Sequence, residues 1–258
     1  MNLKSIQKEL EIATNKNQLK ERLTKIVNHT DDIQNKIQMY NLDSYVAEQL
    51  CVQLMIHKRI TFSSILGMLY FIYKDADRTS EEIINCLKAG LATIDIKRQE
   101  LVVKYDLTEE QQKEVDTLQF PLPMLVEPKF ITKNNENGYY FVKHGSIILN
   151  SKAPKYDVNL EHINRVNSIA LSINNLIAQN IPNVWKNSKS SMSRKNHAKY
   201  TKIAKDYCNL YATTGNKFYM THKYDKRGRI YDVGYFINPQ GNDWNKACIE
   251  LYKKEMVI

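Results

Sequence analysis

Apolar residues recur at helical spacing through the first third of the chain. Leu3, Ile6, Leu10 and Ala13, then Leu19, Leu23, Ile26 and Val27, return every three or four positions over residues 3–27. Ile33, Ile37 and Tyr40 predict a second, shorter helix. A third is predicted over residues 44–57, where Val46, Leu50, Val52, Leu54 and Met55 spread around much of the circumference. That spread is the pattern of a helix buried on more than one side. Ile65, Met68, Leu69, Ile72 and Tyr73 give residues 61–74 a similar apolar character. Thr79 with Glu82 has the form of a capping box and predicts a long helix reaching about residue 104. Thr108 with Gln111 repeats the signature for one more helix. No fixed period links these segments, so they form no repeat array. Taken alone, the stripes predict core packing.

The pattern changes at Phe120. Prolines at 121, 123 and 128 remove backbone donors and bias the residues before them to extended structure. Residues 134–138 read as a turn, and 139–142 and 147–149 as short strands, giving a small β element over about 120–150. Asp157 is placed to cap a helix running to about residue 179, with Leu160, Ile163, Val166, Ile169, Ala170, Ile173, Leu176 and Ile177 on one face. Pro182 and a polar segment over 187–193 separate it from a basic helix over 194–211. There Tyr200, Ile203, Tyr207, Leu210 and Tyr211 make the apolar side, and Arg194, Lys195, Lys199, Lys202 and Lys205 line the rest.

The stretch over 217–246 carries the most chemistry. Phe218, Tyr219 and Met220 favour an extended chain, residues 225–229 make a charged turn, and 230–237 return as an apolar run rich in β-branched and aromatic residues. Asn238, Pro239, Gln240, Gly241 and Asn242 stop that strand, and Asp243 is placed to cap a helix from Trp244. Gly228 lacks a Cβ and lets a ligand backbone approach. Arg227 and Arg229 flank it with planar donor forks suited to phosphates. Asp225, beside two arginines, reads as their orienting partner rather than a general base. Tyr231 adds an aromatic face and a hydroxyl. The plainer alternative is a hairpin with a solvated charged tip.

Composition narrows the classes. The chain has 258 residues, enough for one large domain or two small ones. No apolar run is long enough to span a bilayer, and the N-terminus has neither a signal-peptide core nor a transit pattern. Cys51, Cys86, Cys208 and Cys248 stand far apart, with no CxxC pair, so reduced thiols are expected and structural zinc is not. The net charge is +9, and residues 187–230 hold eleven Lys or Arg against Asp206 and Asp225, an excess equal to that of the whole chain. A charge run is most often a solvated face. One that contains the entire imbalance reads better as a nucleic-acid footprint. No acid–base or nucleophile constellation points to a metabolic enzyme.

Asp225-x-x-Gly228-Arg229, then Tyr231, then Asn238-Pro239-Gln240-Gly241-Asn242-Asp243, resembles the Asp-x-x-Gly-Arg block of single-subunit phage and mitochondrial RNA polymerases. Leu122-Pro123-Met124 with Pro128 and Gly138-Tyr139, and the 163–174 stretch, are similar to blocks lying upstream of it in the same family. The resemblance implies an α+β, predominantly helical chain. It would hold an N-terminal helical domain over 1–185 with a small β element, a short thumb-like helix over 186–214, and the first palm hairpin and helix of a right-hand polymerase over 215–258. Asp225, Arg227, Gly228, Arg229, Tyr231 and Lys246 would then meet the template strand or the RNA–DNA hybrid, with Arg194, Lys195, Lys199 and Lys202 on the thumb-like helix. Lys226 stands where the family often has an aromatic residue.

Nucleotidyl transfer in that family uses two metal ions held by two carboxylates. Those residues lie beyond the matching block, so no catalytic or metal-binding residue is expected in this chain. Mg2+ would be held by ligands on a partner chain. The expectation is either an artificial fragment or the small subunit of a polymerase split after its first palm segment, similar to the two-chain middle-gene RNA polymerases of the schitovirus (N-four-type) phages. Its partners would be a large catalytic subunit, template DNA and the hybrid, with no membrane, in the cytoplasm of an infected bacterial host. The alternative is a free-standing basic nucleic-acid-binding accessory protein.

The charge pattern makes a measurable prediction. Each neutralised phosphate contributes about 0.7 to 0.9 to the log–log salt slope of affinity. Replacing Lys195, Lys199 and Lys202 together with Ala should flatten the slope for a labelled RNA–DNA hybrid by up to about 2 to 3 units. An unchanged slope would return the basic helix to the solvated-face reading.

Overall fold

Helix α1 (Leu3–Ala13) opens the chain, and its Asn2 side chain caps it by accepting from the Lys4 N–H. The structure, a computed structural model, describes residues 2–142, 146–149, 157–184 and 191–253. Roughly half of the chain is helical and the strands form small antiparallel sheets, so the protein is α+β. It divides into two compact units: Lys16–Gln119, and a second assembled from Met1–Asn15 with Phe120–Ile258. The division falls at residues 15 and 119. Among the described residues no helix is long and apolar enough to cross a membrane.

The contiguous unit begins with α2 (Lys16–Asn28), α3 (Asp31–Met39) and α4 (Ser44–His57). Thr14 and Asn15 interrupt the helical spacing of residues 3–27, so that stretch forms two helices. Helix α4 is the axis of this unit. Val46, Leu50, Val52, Leu54 and Met55 are all buried, as their spread around the helix predicts, and pack with Leu19, Leu23, Val27 and Ile33. Lys58 ends α4 in a left-handed conformation, φ +63°, and leads into β1 (Arg59–Thr61). Helices α5 (Phe62–Leu69) and α6 (Ala76–Lys88) follow.

The long helix expected over 79–104 is corrected at both ends. Asp75 caps α6 by accepting from the Asp77 and Arg78 N–H groups, whereas Thr79 sits a turn inside with its hydroxyl on the Asp75 carbonyl. At the other end Gly90, φ +72°, closes the helix. Leu91 N–H returns to the Cys86 carbonyl and Gly90 N–H to the Leu87 carbonyl, the paired bonds of a Schellman stop. The chain then forms the hairpin β2 (Ala92–Asp95) and β3 (Glu100–Val103), and β1 adds to β3 to give the order β1-β3-β2. The capping box at Thr108 and Gln111 is present and starts α7 (Glu109–Leu118).

In the other unit the proline-containing segment stays non-helical, as expected. The small β element expected over 120–150 is absent among the described residues there. Met124 makes an isolated antiparallel bridge with Tyr219 and Ile148 a parallel one with Tyr224. Side chains partner several of the other backbone groups. Gln7 Oε1 accepts from the Leu125 N–H at 2.6 Å, and the buried Glu11 carboxyl accepts from Tyr140 and Phe141 at 3.2 and 2.7 Å. Asn164 pairs with both the N–H and the carbonyl of Ile131, each at 2.8 Å.

The helix expected from 157 to about 179 is three elements: α8 (Leu160–Asn167), β4 (Ala170–Ile173) and α9 (Asn175–Asn180). Asn159 and Asn174, not Asp157, are the caps. The apolar residues at 169–173 keep helical spacing with their neighbours, yet β4 is the centre strand of the sheet β5-β4-β8, and pairing on both sides overrides the local pattern. Helix α10 (Ser191–Thr213) is the expected basic helix, and residues 187–190 of the polar segment before it lie outside the described residues.

β5 (Phe218–Tyr219) joins the sheet, and β6 (His222–Tyr224) pairs with β7 (Ile230–Asp232) as the expected hairpin. The second strand ends at Asp232 rather than 237 because residues 234–237 fold back tightly. A Cβ on Gly234 would lie 2.6 Å from the Ile237 carbonyl oxygen. Helix α11 (Asp243–Ala247) is capped by Asn242, one residue earlier than expected, and β8 (Ile249–Leu251) completes the sheet.

Glu11→Ala removes the acceptor for two backbone N–H groups, and a lost bond of this kind typically costs about 1 to 3 kcal/mol. The unfolding free energy should fall by about 2 to 4 kcal/mol, read as a lower urea midpoint. Glu9→Ala, an exposed change on the same helix, should leave the midpoint unchanged.

Candidate nucleic-acid interface

The hairpin tip is built around one carboxylate. Asp225 Oδ1 accepts from the backbone N–H groups of Arg227 and Arg229 at 2.8 and 3.0 Å. Its Oδ2 takes both Nε and Nη2 of Arg229, each at 2.7 Å, while Arg227 Nε stands farther off at 3.7 Å. Gly228 sits at the reversal with φ +82°, and a Cβ there would meet nothing within 4 Å. Backbone conformation, rather than close approach within the chain, is thus what makes this position a glycine. Asp225 acts as the orienting partner of the arginines.

The electrostatics follow from that geometry. Burial works to raise the Asp225 carboxyl, but the backbone and guanidinium hydrogen bonds from Arg229 and the backbone of Arg227 outweigh it and bring it down to about 2. Arg229 is raised in turn, chiefly by its bond to Asp225. Its guanidinium lies 5.5 Å from the centre of the Tyr231 ring, within reach of a cation–π contact. The Arg227 side chain is 74% exposed and is the freer fork of the two. Asp225, Arg227, Gly228, Arg229 and Tyr231 therefore share one turn and its second strand.

Beneath the tip, His222 lies between two oxygens. Its ring nitrogens are 2.6 Å from Asp232 Oδ1 and 2.7 Å from Asn167 Oδ1, and the His222 and Asp232 side chains are nearly buried. This joins the base of the hairpin to α8. Lys223, opposite Tyr231 in the ladder, is lowered by burial.

The 238–242 loop is fastened to the same strand. Gln240 accepts from the Asp232 N–H at 3.0 Å and donates to the Ile230 carbonyl at 3.1 Å. Gly241 is required by contact, since a Cβ would fall 2.7 Å from Asn245 Nδ2 and 3.0 Å from the Asn238 carbonyl oxygen. Beyond the loop, Asn242 donates to Asn183 Oδ1, and Trp244 Nε1 donates to the Ile181 carbonyl. An aromatic cluster backs this region, with Phe120 stacked on Tyr235 at 3.9 Å and Tyr200 on Phe236 at 5.7 Å.

The remaining predicted residues divide. Arg194 and Lys202 line an open groove of about 670 Å3 with His197 and Lys205. Lys195 and Lys199 are exposed on α10 outside that lining. Lys246 is exposed on α11 and lies outside the groove linings that its neighbours Asn245 and Ala247 join. The sequence reading gave no role to His222, Asn167 and Asn245, and gave Gln240 a place in the loop but not its ties to β7. The Asn242 cap, with Asn245 three positions on, was the available signal, and the rest depends on contacts between distant segments. Among the described residues no group of three or more His, Cys, Asp or Glu side chains is arranged to hold a metal ion. The four cysteines are free and buried. No protein-family model matches the chain, and no curated protein matches it significantly.

The lowered Asp225 fixes the sign of a pH effect. A carboxyl depressed below its ordinary value of 3.8 stabilises the tip above that value and loses the contribution as pH falls through about 2. The Gly228 amide resonance should therefore hold its position down to about pH 4 and move below it. In Asp225→Asn that acid transition should vanish.

Proposed function

We propose that the chain is a nucleic-acid-contacting, not independently catalytic subunit of a two-chain DNA-directed RNA polymerase. It would supply the first palm segment and a thumb-like helix to a large subunit that holds two metal-binding aspartates. The observation that carries this reading is the Asp225–Arg229 clasp on a hairpin whose second strand is tied by Gln240 to the 238–242 loop. The residues that resemble the polymerase block in sequence are thus one mechanical assembly in space. The guanidiniums of Arg227 and Arg229, with the basic α10, support contact with phosphates of the template and hybrid.

In this reading the chain positions the strands and the partner carries the chemistry. Mg2+ belongs to the assembled enzyme, with its ligands on the large subunit, and the site of action is the cytoplasm of an infected bacterial host. The hairpin's contribution is geometric. Fixing a guanidinium through two donors on one carboxylate leaves it little rotational freedom, which favours accurate placement of the phosphate it meets.

Arg229→Lys separates this role from simple binding. A lysine keeps the charge but presents a single ammonium to Asp225 and loses the planar fork. Affinity for an RNA–DNA scaffold should change by less than about 2-fold, because one charge is conserved. Extension by the chain reconstituted with its large subunit, sought in the neighbouring reading frame, should fall about 100-fold. Lys4→Ala, an exposed change on α1, is the control. Equal losses in binding and extension would favour the accessory-binder alternative, and full extension would remove Arg229 from the working site.

A further inference from the structure

A second groove, of about 900 Å3, lies between the end of α9, helix α10 and the 234–247 segment. Tyr200, Tyr235 and Trp244 give it aromatic walls. It adjoins the basic groove of Arg194, Lys202 and Lys205, the two sharing Pro182 and His197. His197 Nε2 is 2.8 Å from the Asn183 carbonyl oxygen, which holds the shared wall in place. Among the described residues neither Arg194 nor Lys202 makes an ion pair.

The polarity of the groove floor is set by a short chain of hydrogen bonds. The Tyr200 hydroxyl donates to the Tyr235 carbonyl at 3.1 Å, so toward Asn245 it acts as an acceptor. That orients the Asn245 amide, whose Nδ2 donates to Tyr200 at 2.8 Å. Asn245 is only 4% exposed, and no hydrogen bond from a described residue reaches its Oδ1. Asp243 adds a carboxylate to the lining. The floor therefore offers acceptors, while the neighbouring groove offers cations.

We propose that this groove takes one unpaired nucleobase of a single strand. The base stacks on the aromatic walls and turns an amino-bearing edge to Asn245 Oδ1, and its flanking phosphates lie against Arg194, Lys202 and Lys205. The volume suits a base with its sugar, aromatic walls supply stacking, and a fixed amide oxygen reads an exocyclic amine. A paired base in a duplex is stacked between its neighbours, cannot lie on the aromatic walls, and is excluded. The inference deepens the polymerase reading, on which the identity of the strand as unpaired template rests.

The test uses the full chain alone. The protein has two tryptophans, so Trp185→Phe leaves Trp244 as the sole reporter. Oligo(dC) should quench Trp244 saturably and bind at least about 5-fold more tightly than oligo(dT), the low end of discrimination by a base-edge contact. Ala247→Phe and Asn196→Phe, exposed lining positions on α11 and α10, fill the groove without removing charge. Each should abolish the dC preference and weaken single-strand binding about 10-fold, while leaving duplex binding unchanged. Equal binding of oligo(dC) and oligo(dT), an unresponsive Trp244, or wild-type binding by both filled variants would each overturn the proposal. So would parallel loss of single-strand and duplex binding, which would mean phosphate contact alone. The extension assay with Arg229→Lys does not depend on these outcomes, so failure of the groove and failure of the polymerase reading are distinguishable.

Discussion

The backbone between Phe120 and Val142 has no ladder of its own, and the unit that contains it depends on how those polar groups are satisfied. Buried N–H and carbonyl groups must find partners, and here side chains provide many of them. Gln7 and Glu11 reach the N–H groups of Leu125, Tyr140 and Phe141, and Asn164 takes both groups of Ile131. Tyr211 donates to the Pro123 carbonyl at 2.6 Å, and Tyr139 to that of Leu122 at 3.2 Å. The segment that the prolines keep from being helix thus gives N–H groups to α1 and α8 and a carbonyl to α10. An irregular stretch becomes a fixed wall behind Phe218, Phe236 and Trp244.

From that wall the geometry passes to the hairpin through polar side chains rather than through a continuous sheet. Asn167 and His222 anchor its base, Gln240 anchors its second strand, and Asp225 closes its tip. Each step uses a fixed amide, ring or carboxylate, and such groups hold direction better than apolar contacts do. The arrangement suits a surface that must present charged forks at a defined angle. Its cost is a set of buried polar atoms, including Asp232 Oδ2 and Asn167 Nδ2, that have no hydrogen-bond partner among the described residues.

Local chemistry was legible in the sequence, and long-range chemistry was not. Helix α4 shows its burial in the spread of its apolar residues, α7 shows its start in Thr108 and Gln111, and the hairpin shows its turn in residues 225–229. The end of α6 was also signalled, by Gly90, but the apolar residues of β2 and β3 mask the break when read at helical spacing. Strand β4 is harder. Ile163, Val166, Ala170, Ile173 and Ile177 describe one helical face, and nothing within them announces that Phe218 and Ile249 will arrive on either side. The same limit applies to the site. Charged residues at the tip and along α10 are visible in the chain, whereas the direction of the Asn245 amide follows from Tyr200, which is 45 positions away in sequence.

The split of one unit around the other has a consequence for synthesis. Residues Lys16–Gln119 form a contiguous block and can collapse as they leave the ribosome. Helix α1 emerges before them, yet the backbone groups that Gln7 and Glu11 bind lie 118 to 130 residues later. A helix of this length is marginal in isolation, so α1 waits as a loose segment with its acceptors turned to water. It is captured only when residues 120–142 appear. A segment made before the inner block is thus fixed in the native structure after it, and closing so long a loop makes that late docking slow relative to the inner block.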